Sequence, residues 1–340
     1  MSSETRVNRQ VYLKERPVGI PQAQHFGIRS VPVEPLREDE FLVKNAFLSV
    51  DPAMRGWVNA AANYSDPVGI GEVMRAFAAG QVVASRHADY PEGTTVMGIL
   101  GWQEYAITDG SSIRRVVRES DLPLSLALGV LGLNGLTAYF ALTACGRPES
   151  GETVVVSTAA GAVGSIAGQL AVARGCRVVG ITGGAQKVTL CRDEFGFDAA
   201  VDYKASDFEE ALAQATPDGV DVYFDNTGGH ITDTVARRIN RHARIVVCGT
   251  ASVASWDPWP TGPRIERHLL NKAASMQGFL AWDYEARYQE ALDVLAPMVR
   301  DGRLRYQEDI QDGIESAPGS IADLYQGKNI GKRLIRLTSD

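Results

Sequence analysis

The chain has few cysteines and none arranged to chelate. Cys145, Cys176, Cys191 and Cys248 are scattered, with no C-x-x-C and no close His/Cys pair at zinc-ligand spacing. His25, His87, His230, His242 and His268 are equally dispersed, so no metal site is expected. Isolated cysteines of this kind serve as small core residues in a reducing compartment. No apolar run is long enough to span a bilayer. The first residues, Met1-Ser2-Ser3-Glu4-Thr5-Arg6, are polar and do not form a secretory signal. A cytoplasmic location without a membrane partner is therefore expected. The net charge is −7 with no basic stripe, which argues against a nucleic-acid partner. A nucleophile elbow is missing too, because Gly164-Ser165-Ile166-Ala167-Gly168 lacks the G-x-S-x-G order. There is no internal repeat and no low-complexity segment.

What is present is the composition of a globular enzyme: 340 residues, 45% hydrophobic and 22% charged. That length predicts two domains. Residues from about 6 to 120 hold short β-rich runs at 9–13, 40–49, 80–85, 94–99 and 104–108, broken by Pro and Gly at a spacing that suggests a β-barrel-like domain. Asp51-Pro52 ends the second run and begins a short helix or turn. From about Pro123 the pattern alternates between strand and helix, which predicts a parallel sheet covered on both faces. Strands are expected at 177–182, 199–202, 220–226, 243–249 and 274–280, and helices at 165–174, 208–215, 231–239 and 284–301. A terminal strand at 334–337 is expected to return to the first domain and make it discontinuous. The predicted boundaries are 1–124, 125–298 and 299–340.

The most informative stretch is Val154-Val155-Val156-Ser157-Thr158-Ala159-Ala160-Gly161-Ala162-Val163-Gly164. A β-branched run ends in small residues and passes straight into a helical pattern. Ala159, Gly161 and Gly164 occupy the three small positions of an A-x-G-x-x-G variant of the dinucleotide fingerprint. A small first residue permits the turn, Gly161 lets backbone N–H groups approach a pyrophosphate, and Gly164 lets helix and strand pack closely. The helix N-terminus adds donors and a positive dipole end. Such a turn can also be a plain tight turn; the βαβ unit of about 30 residues around it favours the dinucleotide reading.

The end of the next strand discriminates between coenzymes. An NAD site places Asp or Glu there for the ribose 2′-hydroxyl. This chain has Thr182-Gly183-Gly184-Ala185-Gln186-Lys187, with no acid. Two glycines leave space, and Lys187 follows one helical turn later to suit a 2′-phosphate, so NADP(H) is the expected cofactor. Asp193 and Glu194 lie further along and should point away. Other strand ends that face the crevice are Asp225-Asn226-Thr227-Gly228-Gly229, Cys248-Gly249-Thr250 and Phe279-Leu280. Asn226 has two readings at this point, an amide for ribose or nicotinamide and an Asx turn before a helix.

These features together resemble the zinc-free medium-chain dehydrogenase/reductases, in the branch of the prostaglandin, alkenal and curcumin double-bond reductases. The markers cover nearly the whole chain. They are Ser49-Val50-Asp51-Pro52-Ala53-Met54-Arg55-Gly56, Gly135-Leu136-Thr137-Ala138-Tyr139-Phe140, the Ala160–Ser165 turn, Tyr223-Phe224-Asp225-Asn226-Thr227-Gly228-Gly229, Gln277-Gly278-Phe279 and Gly327-Lys328-Asn329-Ile330-Gly331-Lys332. Short-chain dehydrogenases do not fit. Their Tyr-x-x-x-Lys pair is missing where it would be needed, and about 150 residues precede the fingerprint.

The resemblance implies an α/β fold: a Rossmann-type doubly wound parallel sheet plus a discontinuous β-rich, GroES-like catalytic domain. It implies NADPH-dependent reduction of the carbon–carbon double bond of an enone or enal, in a homodimer joined through the edge of the nucleotide-domain sheet. Gly161, Ala162, Val163 and Gly164 would bind pyrophosphate. Gly183, Lys187 and Tyr203 would hold the 2′-phosphate end. Asn226, Cys248, Gly249, Thr250, Phe279, Leu280 and Asn329 would line the rest of the cofactor. Hydride would pass to the β-carbon, an enolate would form, and a solvent-derived proton would reach the α-carbon. A hydroxyl must stabilise the enolate, either a tyrosine or the cofactor ribose 2′-hydroxyl. Tyr64 is the candidate catalytic donor, with a loop tyrosine packing over the pocket as the other reading. Two departures bear on substrate: Ala53 and Ala254 stand where many relatives have tyrosine, and Trp256 and Trp259 lie nearby. A quinone or carbonyl reductase on the same scaffold and a non-catalytic NADPH-binding protein are the competing functions.

Overall fold

The structure is a computed structural model that describes residues 6–60, 65–253 and 260–337. Seven strands come first: β1 (Val7–Leu13), β2 (Phe26–Pro32), β3 (Phe41–Ser49), β4 (Phe77–Ser85), β5 (Thr95–Ile99), β6 (Tyr105–Thr108) and β7 (Ile113–Val116). Six more follow in alternation with helices: β8 (Thr153–Ser157), β9 (Arg177–Thr182), β10 (Ala199–Asp202), β11 (Val220–Asp225), β12 (Ile239–Val247) and β13 (Ser275–Gly278). The chain closes with β14 (Glu308–Asp312) and β15 (Lys332–Arg336). It divides into two compact units, Met1–Leu128 with Glu308–Asp340, and Gly129–Gln307. The sequence reading drew these lines at 124/125 and 298/299. Residues 299–307 stay with the second unit because Gln169 accepts from the Arg305 backbone N–H at 2.8 Å and donates to its carbonyl at 2.8 Å.

In the first unit, β15 pairs antiparallel with β3, and β14 pairs parallel with β15, in a sheet ordered β14-β15-β3-β4-β5-β7 with β6 also on β3. Strands β2, β7 and β14 were not anticipated. For β14 the reason is compositional. Its sequence, Glu-Asp-Ile-Gln-Asp, lacks an apolar face, and its pairing is reinforced by Arg333 on Asp309 at 2.8 Å and Arg336 on Asp312 at 2.6 Å.

The second unit is a six-stranded, wholly parallel sheet in the order β10-β9-β8-β11-β12-β13. Numbered from β8, that is 3-2-1-4-5-6, the Rossmann order. The inner strands are continuous apolar runs because helices cover both faces: all five residues of β8 are buried, as are five of six in β9 and in β11. One core cluster gathers Val155, Val179, Ile181, Tyr223, Ile231 and Ile245. Two boundaries differ from the sequence reading. The fifth strand of this sheet starts at Ile239, not 243, and the preceding helix stops at Ala236. Ile239 is buried at 1% exposure and pairs with Val220, so burial draws it into the sheet. The segment expected as one helix over 284–301 is a 3-10 turn, Ala281–Arg287, followed by the helix Tyr288–Arg300.

Candidate functional site

The strand order of the second unit reverses between β8 and β11, and the carboxyl ends of these strands border the crevice where such sheets bind ligands. After Ser157, Thr158 adopts φ +53°, a conformation that is costly for a β-branched residue and found where surrounding structure enforces it. The Gly161 N–H donates to the Thr158 carbonyl at 2.8 Å and closes the turn. The two fingerprint glycines are then required by contact. A Cβ on Gly164 would lie 2.3 Å from the Thr158 carbonyl oxygen, and one on Gly161 would lie 2.8 Å from Thr158 Cγ2. The helix Gly164–Ala173 therefore starts hard against the strand end, with the positive end of its dipole at the turn.

At the end of β9, Gly184 has φ +91° and precedes the short helix Ala185–Thr189, which carries a half-buried Lys187. Burial pushes the neighbouring Cys191 thiol up to about 12, while the Lys187 charge pulls it the other way. Directly after β10, the Tyr203 N–H donates to the Thr182 carbonyl at 3.0 Å, and the residue is 40% exposed. A Cβ on Gly183 would meet Tyr203 Cε1 and Lys204 Cε, each at 3.0 Å. Lys204 was not singled out from sequence; its signal was its place directly after Tyr203 at a strand end. Glu194 is engaged elsewhere, by Arg305 at 2.7 Å.

The end of β11 is held by a buried carboxylate. Asp225 is 1% exposed. Its Oδ1 accepts from the N–H of Thr227 at 2.8 Å, the N–H of Gly228 at 2.9 Å and the Tyr223 hydroxyl at 3.0 Å; its Oδ2 accepts from the Thr232 hydroxyl at 2.5 Å. Burial, then the Asp225 charge, pushes the Tyr223 phenol far up, so it stays a proton donor. Asn226 clamps β11 to β8: its N–H donates to the Ser157 hydroxyl at 2.8 Å and its Nδ2 to the Ser157 carbonyl at 2.7 Å. The N–H groups of Cys248 and Gly249 donate to the Asp225 carbonyl at 2.8 and 3.1 Å, which ties the end of β12 to the same turn. Thr250 follows, and its carbonyl accepts from Val253 N–H at 3.0 Å. Burial, with Cys145 and Asp225 adding, raises the Cys248 thiol well above its ordinary value. Sequence reading passed over Asp225 and Tyr223 as functional residues because their roles depend on donors contributed by a turn and a helix.

Phe279 follows β13 and turns inward. It stacks on Tyr284 at 5.3 Å, and Tyr284 stacks on Phe140 at 4.9 Å. Leu280 is 43% exposed. Gly161 to Gly164, Gly183, Lys187, Tyr203, Asn226, the Cys248–Thr250 segment and the Phe279-Leu280 pair thus all follow carboxyl ends of the parallel strands.

Asn329 belongs to the first unit, where its Nδ2 donates to the Gly331 carbonyl at 2.8 Å. In that unit two markers far apart in sequence meet. Lys332 Nζ donates to Asp51 Oδ1 at 2.6 Å, Ser49 Oγ at 2.7 Å and the Val50 carbonyl at 3.1 Å. Ser49 also donates to Asp51, and the Tyr325 hydroxyl donates to the Pro52 carbonyl at 2.9 Å. Ala53 sits at the start of the short helix Met54–Trp57. Tyr64, Ala254, Trp256 and Trp259 lie outside the described residues.

Two family models match the chain, the N-terminal domain of oxidoreductase over residues 9–116 and the zinc-binding dehydrogenase over residues 162–297. The NADPH-dependent curcumin reductase of Escherichia coli is 39% identical over 345 residues, covering 100% of both chains. Prostaglandin reductase 1 of Sus scrofa is 39% identical, covering 95% of this chain and 97% of its own. The structure of CurA in complex with NADPH from Vibrio vulnificus superposes with a TM-score of 0.92 at 40% identity, over 98% of this chain and 100% of that one. The chain belongs to the medium-chain dehydrogenase/reductase superfamily, in its prostaglandin, alkenal and curcumin reductase branch. One family model is described by zinc, yet among the described residues no group of three or more His, Cys, Asp or Glu side chains could hold a metal ion. No helix among them is long and apolar enough to cross a membrane. The superfamily fold accounts for both units: a β-rich one closed by the C-terminal strands, and a Rossmann sheet.

Proposed function

We propose that this chain is a cytoplasmic, NADPH-dependent reductase of the carbon–carbon double bond in α,β-unsaturated aldehydes or ketones. The observation that carries this is the acid-free end of β9. Gly183 and Gly184 stand where an NAD site needs a carboxylate, with Tyr203 and Lys204 closing over Gly183. The close packing of Gly161 and Gly164 on Thr158 leaves the backbone bare for a pyrophosphate, so the residues present fit the group. The names of the relatives, with curcumin and prostaglandin reductases among them, support the same chemistry.

When bound, NADPH supplies a hydride for the β-carbon of the substrate. The chain's residues position and discriminate. The Gly161–Gly164 turn binds the pyrophosphate, and Lys187 and Tyr203 recognise the 2′-phosphate. Asp225 holds the Asn226–Gly228 turn, and the clamp from Asn226 to Ser157 keeps the crevice rigid between β8 and β11. Cys248, Gly249, Thr250, Phe279, Leu280 and Asn329 complete the proposed cofactor set. Tyr64 donates a hydrogen bond to the carbonyl oxygen as negative charge builds there. A homodimer forms through β13, an edge strand whose four residues are all exposed.

NADPH stereospecifically deuterated at C4 tests this reading. With an enal, an aryl enone and a cyclic enone, deuterium is expected on the β-carbon of a saturated product. An allylic alcohol, or turnover of quinones alone, overturns it. Tyr64→Phe should lower kcat by about 100-fold, a size typical of removing one donor to a developing oxyanion. An unchanged kcat removes Tyr64 from the mechanism.

A further inference from the structure

Besides Lys187, a second cation, Lys204, lies at the end of β9, and it comes from a different element. The register pairs Asp202 with Thr182, so β10 ends level with β9, and residues 203 and 204 come next. A local turn sets their direction: the Lys204 N–H donates to Asp202 Oδ1 at 2.9 Å and the Ala205 N–H to the Asp202 carbonyl at 3.2 Å. The Lys204 side chain then runs back over the strand ends. Its Nζ lies 5.9 Å from the centroid of the Tyr203 ring, and its Cε packs 3.0 Å from where a Gly183 Cβ would be. Cε thus approaches the glycine face and the ammonium lies over the Tyr203 ring, in a residue that is exposed as a whole. One Asp202 carboxylate oxygen is occupied by the Lys204 N–H.

We infer that Lys204 is a second cation for the coenzyme's 2′-phosphate, paired with Lys187 across Gly183 and determining selectivity for NADPH over NADH. The inference rests on the NADPH reading above. Two ammonium groups on separate elements can each donate to a dianion, whereas NADH offers only a neutral hydroxyl there. Lys204 is exposed and lies on a polar turn, so its replacement is expected to leave folding intact.

The test is equilibrium binding of NADPH and of NADH to the full chain, by fluorescence titration or calorimetry, for wild type, Lys204→Ala, Lys204→Arg and Lys187→Ala. Lys204→Ala should weaken NADPH by about ten-fold, as expected for losing one hydrogen bond to a charged group, and leave NADH within about two-fold. Lys204→Arg should retain the preference, because it keeps the charge. The salt dependence of NADPH binding should be shallower in Lys204→Ala than in wild type. Equal loss for both coenzymes, or no loss for NADPH, overturns the role of Lys204. If wild type and Lys187→Ala still differ in the expected direction, the NADPH reading survives that result. A wild type without any NADPH preference overturns both.

Discussion

Among the described residues each unit buries one aspartate, each within a family marker, and the two are satisfied in opposite ways. Asp51 in the first unit is neutralised by the Lys332 ammonium, 281 positions away in sequence. Asp225 in the second unit accepts, among the described residues, from neutral donors: the N–H groups of Thr227 and Gly228 and the hydroxyls of Tyr223, Thr227 and Thr232, all within seven positions, with the Ser157 hydroxyl of β8 added at 3.4 Å. The difference follows from what each carboxylate holds. Asp51 joins the end of β3 to the returning C-terminal strand, and a long-range clasp gains from charge. Asp225 shapes a local turn, where backbone donors are already at hand. A lysine there would also put a fixed cation under the crevice.

Breaking the clasp should have the largest effect. Lys332→Met leaves Asp51 buried without its counter-charge and should cost about 3–5 kcal/mol in urea unfolding of the first unit. Adding Asp51→Leu should recover much of that loss. A loss below about 1 kcal/mol would show that the ion pair is not what fastens β15 to β3. Asp225→Asn should cost less, about 1.5–3 kcal/mol, since it removes charge-assisted hydrogen bonds and sets an amide donor against the turn's own N–H groups. It should also weaken NADPH binding, whereas Lys332→Met, judged on protein that remains folded, should weaken it less. Equal effects on coenzyme affinity would erase the contrast between the two aspartates.

The smallest effect sharpens the comparison from the side of pH. Glu308 begins β14, and burial lifts its carboxyl above the ordinary range; the Ser125 hydroxyl, donating at 2.9 Å, and Lys332 pull it back. Its Oε1 is buried without a partner among the described residues. A raised value in the folded state means that folding favours the protonated form. Glu308 therefore contributes its full share of stability in acid and loses it as pH rises through the folded value. Glu308→Gln should raise Tm by about a degree or two at pH 7 to 8. The gap should close as the pH falls below the ordinary glutamate value of 4.5. A gap independent of pH would assign the effect to packing.

Much of the second unit was legible in sequence because parallel strands buried on both faces are unbroken apolar runs. The strands at 177–182 and 199–202 and the helix at 208–215 appear with the bounds expected of them. The first unit was less legible. Its strands β2, β7 and β14 carry polar or mixed residues and exist through their partners, as the Arg333–Asp309 and Arg336–Asp312 pairs on β14 illustrate. Among site residues, the glycines could be read because their role is steric and local. Asp225 and Tyr223 could not, because their donors and acceptors are assembled by turns; Lys204 had only its place after Tyr203, and its approach to Gly183 depends on the turn at Asp202.

By itself the chain's order of residues determined the family, the alternation that makes a parallel sheet, the fingerprint turn and the missing acid after the second strand of that sheet. These depend on periodicity and on side-chain size at neighbouring positions, which act over a few residues. Only the tertiary structure decided that Lys332 closes on Asp51, that Asn226 spends its amide on Ser157, that Phe279 turns into an aromatic stack, and that Lys204 lies across Gly183. Each of these is a contact between separate elements or across a turn, and its partner is chosen by burial and register rather than by adjacency in the chain.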